Sequence, residues 1–254
     1  MSDEVLVERR GAIQLITINR PEAKNALSLG AATIIRDAVD ELDEDPALRI
    51  GVLTGAGGVF SAGMDLKGWL RGESPSFPGR GLCGIQQTPP KKPLIAAVEG
   101  WALAAGFEVC LACDLVVAGR TAKFGLPEVK RGLVAAGGGA VQIPQRVPPA
   151  VANEMLLTGD PISAERAAEL GLITRVVDEG TALDVALELA ESIASYAPLA
   201  VQASKQISQK AREWYGDVAW VEAPKITQPV FDSEDAKEGA RAFAEKRSPV
   251  WQGR

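Results

Sequence analysis

An α/β fold with a helical C-terminal segment follows from three features of the sequence. Short strand-like runs rich in Ile and Val alternate with helix-like stretches through most of the chain, the pattern of a layered α/β domain. From Pro198 onward the alternation stops and the chain reads as helical. The length, 254 residues with 46% hydrophobic, suits one sizeable domain or a large one with a small appendage. The predicted division is therefore an α/β core over 1–197 and a helical segment over 198–254.

Residues 12–20 (AIQLITINR) alternate and are rich in Ile, which predicts the first strand. RPEAKNALS then forms a polar turn around Pro21. Ser28 is placed to cap a helix running to about Glu44, with Ile35, Val39 and Leu42 on one face. A second strand over 49–54 runs into the Gly-rich loop TGAGGVFSAGMDLKG. That loop does not fit a dinucleotide fingerprint, because Phe60 stands where the third glycine should be. Nor is it a P-loop, because Gly-Lys-Ser/Thr is absent. It reads as a turn that offers backbone N–H groups, with Gly63 allowing close approach. Residues 72–90 carry many Gly, Pro and Ser residues and read as a mobile surface segment, ended by Lys91 and Lys92 as a solvated pair. The run 94–98 is a third strand, 105–113 a helix and 115–118 a fourth strand. Ser163 opens a short helix stopped by Gly171, and Thr181 opens a longer one with Asp184 at its third position, a capping-box variant. Residues 198–215 and 233–247 are helical; the last helix carries Phe243 on the face of Ala236 and Ala240, with Lys246 and Arg247 against its C-terminal dipole.

Composition narrows the function. Net charge is −6 with no dense Lys/Arg block, so a nucleic-acid footprint is absent. The N-terminus is charged from its third residue and no apolar run reaches spanning length, so the expectation is a soluble cytoplasmic protein without membrane contact. There is no histidine at all, which removes Ser-His-Asp and Cys-His catalysis and every His-ligated metal site. Acid–base chemistry must then fall to Glu, Asp, Lys, Tyr or Cys. Cys110 and Cys113 form a CxxC, but no second CxxC accompanies it and the pair lies in an apolar, helical run; buried structural thiols are the better reading, and no metal is expected.

The informative stretch is PLIAAVEGWALAAGFEVCLACDLVVAG, apolar enough to be buried yet interrupted by Glu99, Glu108 and Asp114, with Glu128 shortly after. An ionised carboxylate in an apolar setting must be paired, hydrogen-bonded or shifted upward in pKa. Asp114 sits where a helix gives way to a strand and reads as a turn or partner-binding residue, and Glu99 as a loop residue. Ala104-Ala105-Gly106 precede Glu108 at what reads as a helix entry, where free N–H groups point outward. Donors beside a carboxylate in a dry site suggest oxyanion stabilisation next to acid–base chemistry. Spacing alone leaves a purely structural role for Glu108 open.

Three segments, FSAGMDLK (60–67), AAVEGWALAAGFEVCLACDLVVAG (96–119) and FGLPEVKRGL (124–133), resemble the crotonase, or enoyl-CoA hydratase/isomerase, superfamily. NRPEAKNALS and FAEKRSPVWQGR resemble its flanking motifs, so the similarity runs collinearly through the chain. The resemblance implies a spiral of repeated ββα units followed by a helical segment that forms a homotrimer, often a dimer of trimers. It implies an acyl-CoA substrate, with coenzyme A as part of the thioester and no permanently bound cofactor. By motif position, Met64 and Ala105 would supply the two N–H groups that hold the thioester oxygen. The implied CoA contacts are Ala23, Lys24 and Ala26, then Ala62, Asp65 and Leu66, and Phe243 and Lys246 from a neighbour's last helix. Both glutamates of the family's hydratases are present, as Glu108 and Glu128: the first would activate water for attack at Cβ, the second would protonate Cα. The implied activity is that of an enoyl-CoA hydratase, a hydro-lyase of fatty-acid or related acyl-CoA metabolism. Alternatives are a carnitinyl-CoA dehydratase, suggested by PPAVANEMLLTG and the C-terminal segment, a double-bond isomerase, or a CoA-binding scaffold. Departures are Ala104 and Ala105 where glycines are common, and Ala135-Ala136 where Pro-Gly is common. Trp69 and Trp101 are candidates for an aromatic wall towards a trimethylammonium group, although ordinary packing is the better reading of each.

Overall fold

In the computed structural model, residues 4–254 are described. The chain runs β1 (Val5–Arg10), β2 (Ile13–Ile18), α1 (Leu29–Glu44), β3 (Ile50–Gly55), α2 (Leu66–Leu70), β4 (Ser76–Phe77), β5 (Gly81–Leu82), β6 (Leu94–Val98), β7 (Trp101–Leu103) and α3 (Ala105–Ala112). It continues through β8 (Leu115–Gly119), β9 (Lys123–Gly125), α4 (Gly139–Gln142), α5 (Pro149–Thr158), β10 (Ile162–Ser163), α6 (Ala164–Glu169), β11 (Arg175–Val177) and α7 (Ala182–Ala194). The last three helices are α8 (Pro198–Lys210), α9 (Val218–Phe231) and α10 (Glu234–Glu245).

The main sheet has the order β1-β2-β3-β6-β8-β11, parallel throughout except for the β1–β2 hairpin. Both of its faces are covered, so its strands carry apolar residues on both sides. Ile16 and Ile18 of β2, and Leu94, Ala96 and Val98 of β6, face one core with α1 and α3. Ile13, Leu15, Ile95 and Ala97 face the other, against Ala182, Ala186 and Ala190 of α7. Those three alanines recur every fourth residue, on one side of the helix, and their small size lets α7 lie close on the sheet.

A second layer explains the spiral. After β6 the chain turns at Gly100 into β7, and after β8 it turns into β9; β7 pairs parallel with β9, and Ser61, after β3, bridges Ala102 of β7. Each turn of the chain thus contributes one strand to the large sheet and one short extended piece to the small one. Gly100 is required at its corner: its φ is +59°, and a Cβ there would lie 2.4 Å from Gly58 O.

Several expectations are corrected. The 72–90 segment is not wholly surface: it contains the β4–β5 hairpin, and Leu82, Cys83 and Ile85 are buried because these apolar side chains join the main hydrophobic core. Lys92 is not solvated. It is buried, and its ammonium donates to Leu42 O and Asp45 O at 2.7 Å each, satisfying carbonyls at the end of α1. The α7 N-terminus is capped not by Thr181, whose hydroxyl donates to Asp178 O, but by Glu99, whose carboxylate accepts from Ala182 N–H at 3.0 Å. Arg247 pairs with Glu238 at 2.6 Å instead of facing the helix dipole. Strand β1 and the short strands of the second layer went unread in the sequence. Asp114 holds α8 to the core, accepting from Leu94 N–H at 2.8 Å and pairing with Lys205 at 2.6 Å. All three cysteines are buried free thiols; burial raises the Cys83 thiol to about 12 and pushes up Cys110 and Cys113 as well, which suits packing residues.

Candidate active site

A cavity of about 480 Å³ opens where the two layers meet the N-terminus of α3. Glu108, Glu128, Met64 and Ala105 all line it. Three stretches far apart in sequence, at Met64, at Ala105 and Glu108 of α3, and at Glu128, therefore converge on one space.

Two backbone N–H groups are left free by local geometry. Leu27 bridges the Met64 segment, donating to Gly63 O and accepting from Asp65 N–H at 2.8 and 2.9 Å. In an extended strand successive amides point to opposite sides, so the Met64 N–H is turned away from this bridge. Ala105 is the first residue of α3, and its N–H has no preceding carbonyl to bond. Neither amide has a backbone acceptor among the described residues. The helix dipole adds positive character at Ala105. Getting the chain into this helix requires Ala104 at φ 49°, ψ −128°, a region that disfavours a Cβ and costs on the order of 1–3 kcal/mol. Close approach of the two donor segments depends on Gly63, since a Cβ there would lie 2.8 Å from Ala104 Cβ.

Glu108 lies on the inner face of α3, only 3% exposed. Burial raises its carboxyl to about 7; amide donation from Gly139, at 2.9 Å, and from Gly137 opposes the rise, and the nearby Glu128 carboxylate adds to it. Glycine at 137 leaves room for this carboxylate, since a Cβ there would sit 2.5 Å from Glu108 Oε2 and displace it. Glu128 opens the 3-10 turn Pro127–Arg131. Burial raises its carboxyl too, and both of its oxygens are shielded from solvent without a hydrogen-bond partner among the described residues. Native structures rarely leave such groups unpaired, so two orphaned oxygens facing a cavity point to a ligand.

The remaining expected site residues divide. Ala62 and Leu66 line the cavity. Ala23, Lys24 and Ala26 do not, but Ala62 N–H donates to Lys24 O at 2.9 Å and so ties their loop to the cavity edge. The Asp65 carboxylate is occupied structurally, capping α2 through Lys67 and Gly68 amides and pairing with Arg20 at 3.1 Å. Phe243 and Lys246 stay outside the cavity; Phe243 is 88% exposed on α10, and Lys246 ends that helix in the left-handed conformation. Trp69 lines the cavity and Trp101 does not. Gly137, Gly139 and Arg131 were missed; the run Gly137-Gly138-Gly139 was the available signal, since three glycines in sequence mark close backbone approach. Among the described residues no cluster of His, Cys, Asp or Glu is placed to hold a metal.

The arrangement can polarise a carbonyl oxygen with two amides while two carboxyl groups able to exchange protons face the same space. The sequence matches the family described as enoyl-CoA hydratase/isomerase over residues 8–254. Enoyl-CoA hydratase EchA19 of Mycobacterium tuberculosis is 46% identical over 261 residues, covering 99% of this chain and 97% of that protein. Carnitinyl-CoA dehydratase of Salmonella enteritidis is 41% identical over 262 residues, covering both chains completely. The crystal structure of an enoyl-CoA hydratase from Mycobacterium tuberculosis superposes with a TM-score of 0.97 at 55% identity over the full length of both chains.

Proposed function

Because this chain belongs to the enoyl-CoA hydratase/isomerase family, we propose that it is a hydro-lyase that adds water reversibly to a 2-enoyl-CoA thioester. The observation that carries the reading is the pairing of Glu108 and Glu128, both raised by burial, in one cavity with the free amides of Met64 and Ala105. The amides hold the thioester oxygen and stabilise the negative charge that builds there as water attacks Cβ. Glu108, held by the Gly139 amide, orients that water and takes its proton. Glu128, whose carboxyl burial raises, delivers a proton to Cα. A mere CoA-binding scaffold has no use for two buried acids in this position.

The same reading assigns the 23–26 loop, Ala62, Asp65 and Leu66 to the CoA moiety, and Phe243 and Lys246 to the CoA bound by a neighbouring subunit. It takes residues 198–254 as an oligomerisation segment forming a trimer or a dimer of trimers. Support comes from α9, which has no buried residue, and from Trp220, Phe231 and Phe243, each at least 72% exposed, an apolar surface that asks to be covered. No helix of the described residues is long and apolar enough to cross a membrane. Three unpaired thiols suit the reducing cytoplasm.

A pH profile tests the assignment. Water activation needs ionised Glu108, so kcat/KM for hydration rises with pH through about 7, the value to which burial raises this carboxyl. The Glu108→Gln variant loses that acidic limb from its residual activity. A limb unchanged in the variant removes Glu108 as the base.

A further inference from the structure

Relatives of this chain differ in what the acyl group carries: a carnitinyl group ends in a trimethylammonium cation. We infer that this cavity selects an uncharged, apolar far end of the acyl chain and rejects a quaternary ammonium, and that Arg131 sets the preference. The inference rests on the hydratase reading and narrows its substrate class.

A quaternary ammonium has no N–H to donate, so a protein holds it with aromatic faces or with carboxylates. The cavity wall offers one aromatic side chain, Trp69, which is 46% exposed, and no second ring to complete a cage. Among the described residues its carboxylates are Glu108 and Glu128, and both are reserved for proton transfer. The other charge on the wall is itself cationic. The Arg131 guanidinium bonds only the neighbouring Lys130 carbonyl, at 3.1 Å, and no described carboxylate lies within ion-pair distance of it. Arg131 is exposed, so water screens its field in part, but no carboxylate partner among the described residues neutralises it, and it repels a second cation entering the same space. The rest of the wall suits hydrocarbon: Leu66, Leu82, Leu133 and Val134 face the cavity, whose 480 Å³ is in the range that encloses a drug-sized ligand. Three independent features, the missing cage, the committed carboxylates and the free guanidinium, point the same way.

The test compares two thioesters of nearly equal shape. Crotonobetainyl-CoA carries the cation, and 5,5-dimethylhex-2-enoyl-CoA replaces its nitrogen by carbon. The wild type is expected to favour the neutral thioester by about fivefold in kcat/KM, the size of a charge repulsion screened by water. Arg131→Gln should narrow the ratio several-fold. Raising ionic strength from about 0.01 M to about 1 M, which shortens the Debye length from about 30 to about 3 Å, should narrow it in the wild type but not in the variant. A wild-type preference for the cation overturns the inference. A ratio unmoved by Arg131→Gln and by salt removes Arg131 as its cause, and with it the inference as stated. The saturated pair, 4-trimethylammoniobutyryl-CoA and 5,5-dimethylhexanoyl-CoA, is measured in parallel by titration calorimetry. Its ratio of Kd values should show the same preference with no chemistry involved. Absence of turnover for both unsaturated thioesters contradicts the hydratase reading, while the Kd ratio still decides the selectivity.

Discussion

Glu108→Gln and Glu128→Gln are each expected to lower hydration of a 2-enoyl-CoA by about 10²–10⁴, the usual worth of a positioned acid or base. Glutamine keeps the size of the side chain and can still accept the Gly139 amide, so geometry is retained while proton exchange is lost. The double variant should lose much less than the product of the two, because groups acting as a unit are not additive. Stability should move in the opposite direction. The folded carboxyl of Glu108 is raised to about 7 from an unfolded value near 4.5, so the folded state binds the extra proton between those values. Stability from this group therefore falls as pH climbs from about 4.5 to about 7, and above 7 the full penalty, at most about 3 kcal/mol, is present. Glu108→Gln removes the penalty. Its Tm should exceed that of the wild type at pH 8 and converge with it near pH 5. A variant that is inactive and also less stable at pH 8 would mean that Glu108 holds the fold and not the reaction. Near-wild-type hydration in both single variants would end the two-carboxylate mechanism.

The second large effect is expected at Gly63, which touches no substrate. Its φ is +112°, and a Cβ would lie 2.8 Å from Ala104 Cβ, 3.1 Å from Leu103 O and 3.5 Å from Ala105 N. Gly63→Ala therefore pushes the strand carrying the Met64 amide away from the start of α3. The two donors no longer converge on one oxygen, and losing one such donor costs about 10²–10³ in kcat. Gly11→Ala is the control, because Gly11 also has positive φ, +61°, but nothing within 4 Å of the added methyl. Gly11→Ala should be somewhat less stable and fully active. A folded Gly63→Ala enzyme, checked by circular dichroism, that hydrates at the wild-type rate would place the oxyanion elsewhere.

Much of this site was legible in the sequence, and the rest was hidden for physical reasons. Glu108 stood out because an acid in an apolar run is costly, and the absence of histidine left few other candidates. The α1 cap at Ser28 and the strand Leu94–Val98 followed from side-chain chemistry and patterning that act locally. Strand β7 did not, because three residues carry too little periodicity, and its existence depends on pairing with Lys123–Gly125 far along the chain. Lys92 was misread for a similar reason. Lysine is usually solvated, and only the carbonyls at the end of α1, about fifty positions earlier, make its burial favourable. Leu82 and Ile85 lay among Gly, Pro and Ser residues whose turn signals outweighed their apolar character. The pairing of Met64 and Ala105 was reached by resemblance; no local pattern shows that Leu27 bonds the Gly63 carbonyl and the Asp65 amide on either side of Met64 and leaves the Met64 amide free.

Hydration of crotonyl-CoA in D₂O by the wild-type protein tests the central claim most directly. Two carboxyls acting on one water and one carbon should give 3-hydroxybutyryl-CoA with the hydroxyl at Cβ and one deuterium at Cα, delivered to a single face. Migration of the double bond without hydration, or recovery of unlabelled crotonyl-CoA from a protein that binds it, would contradict the account.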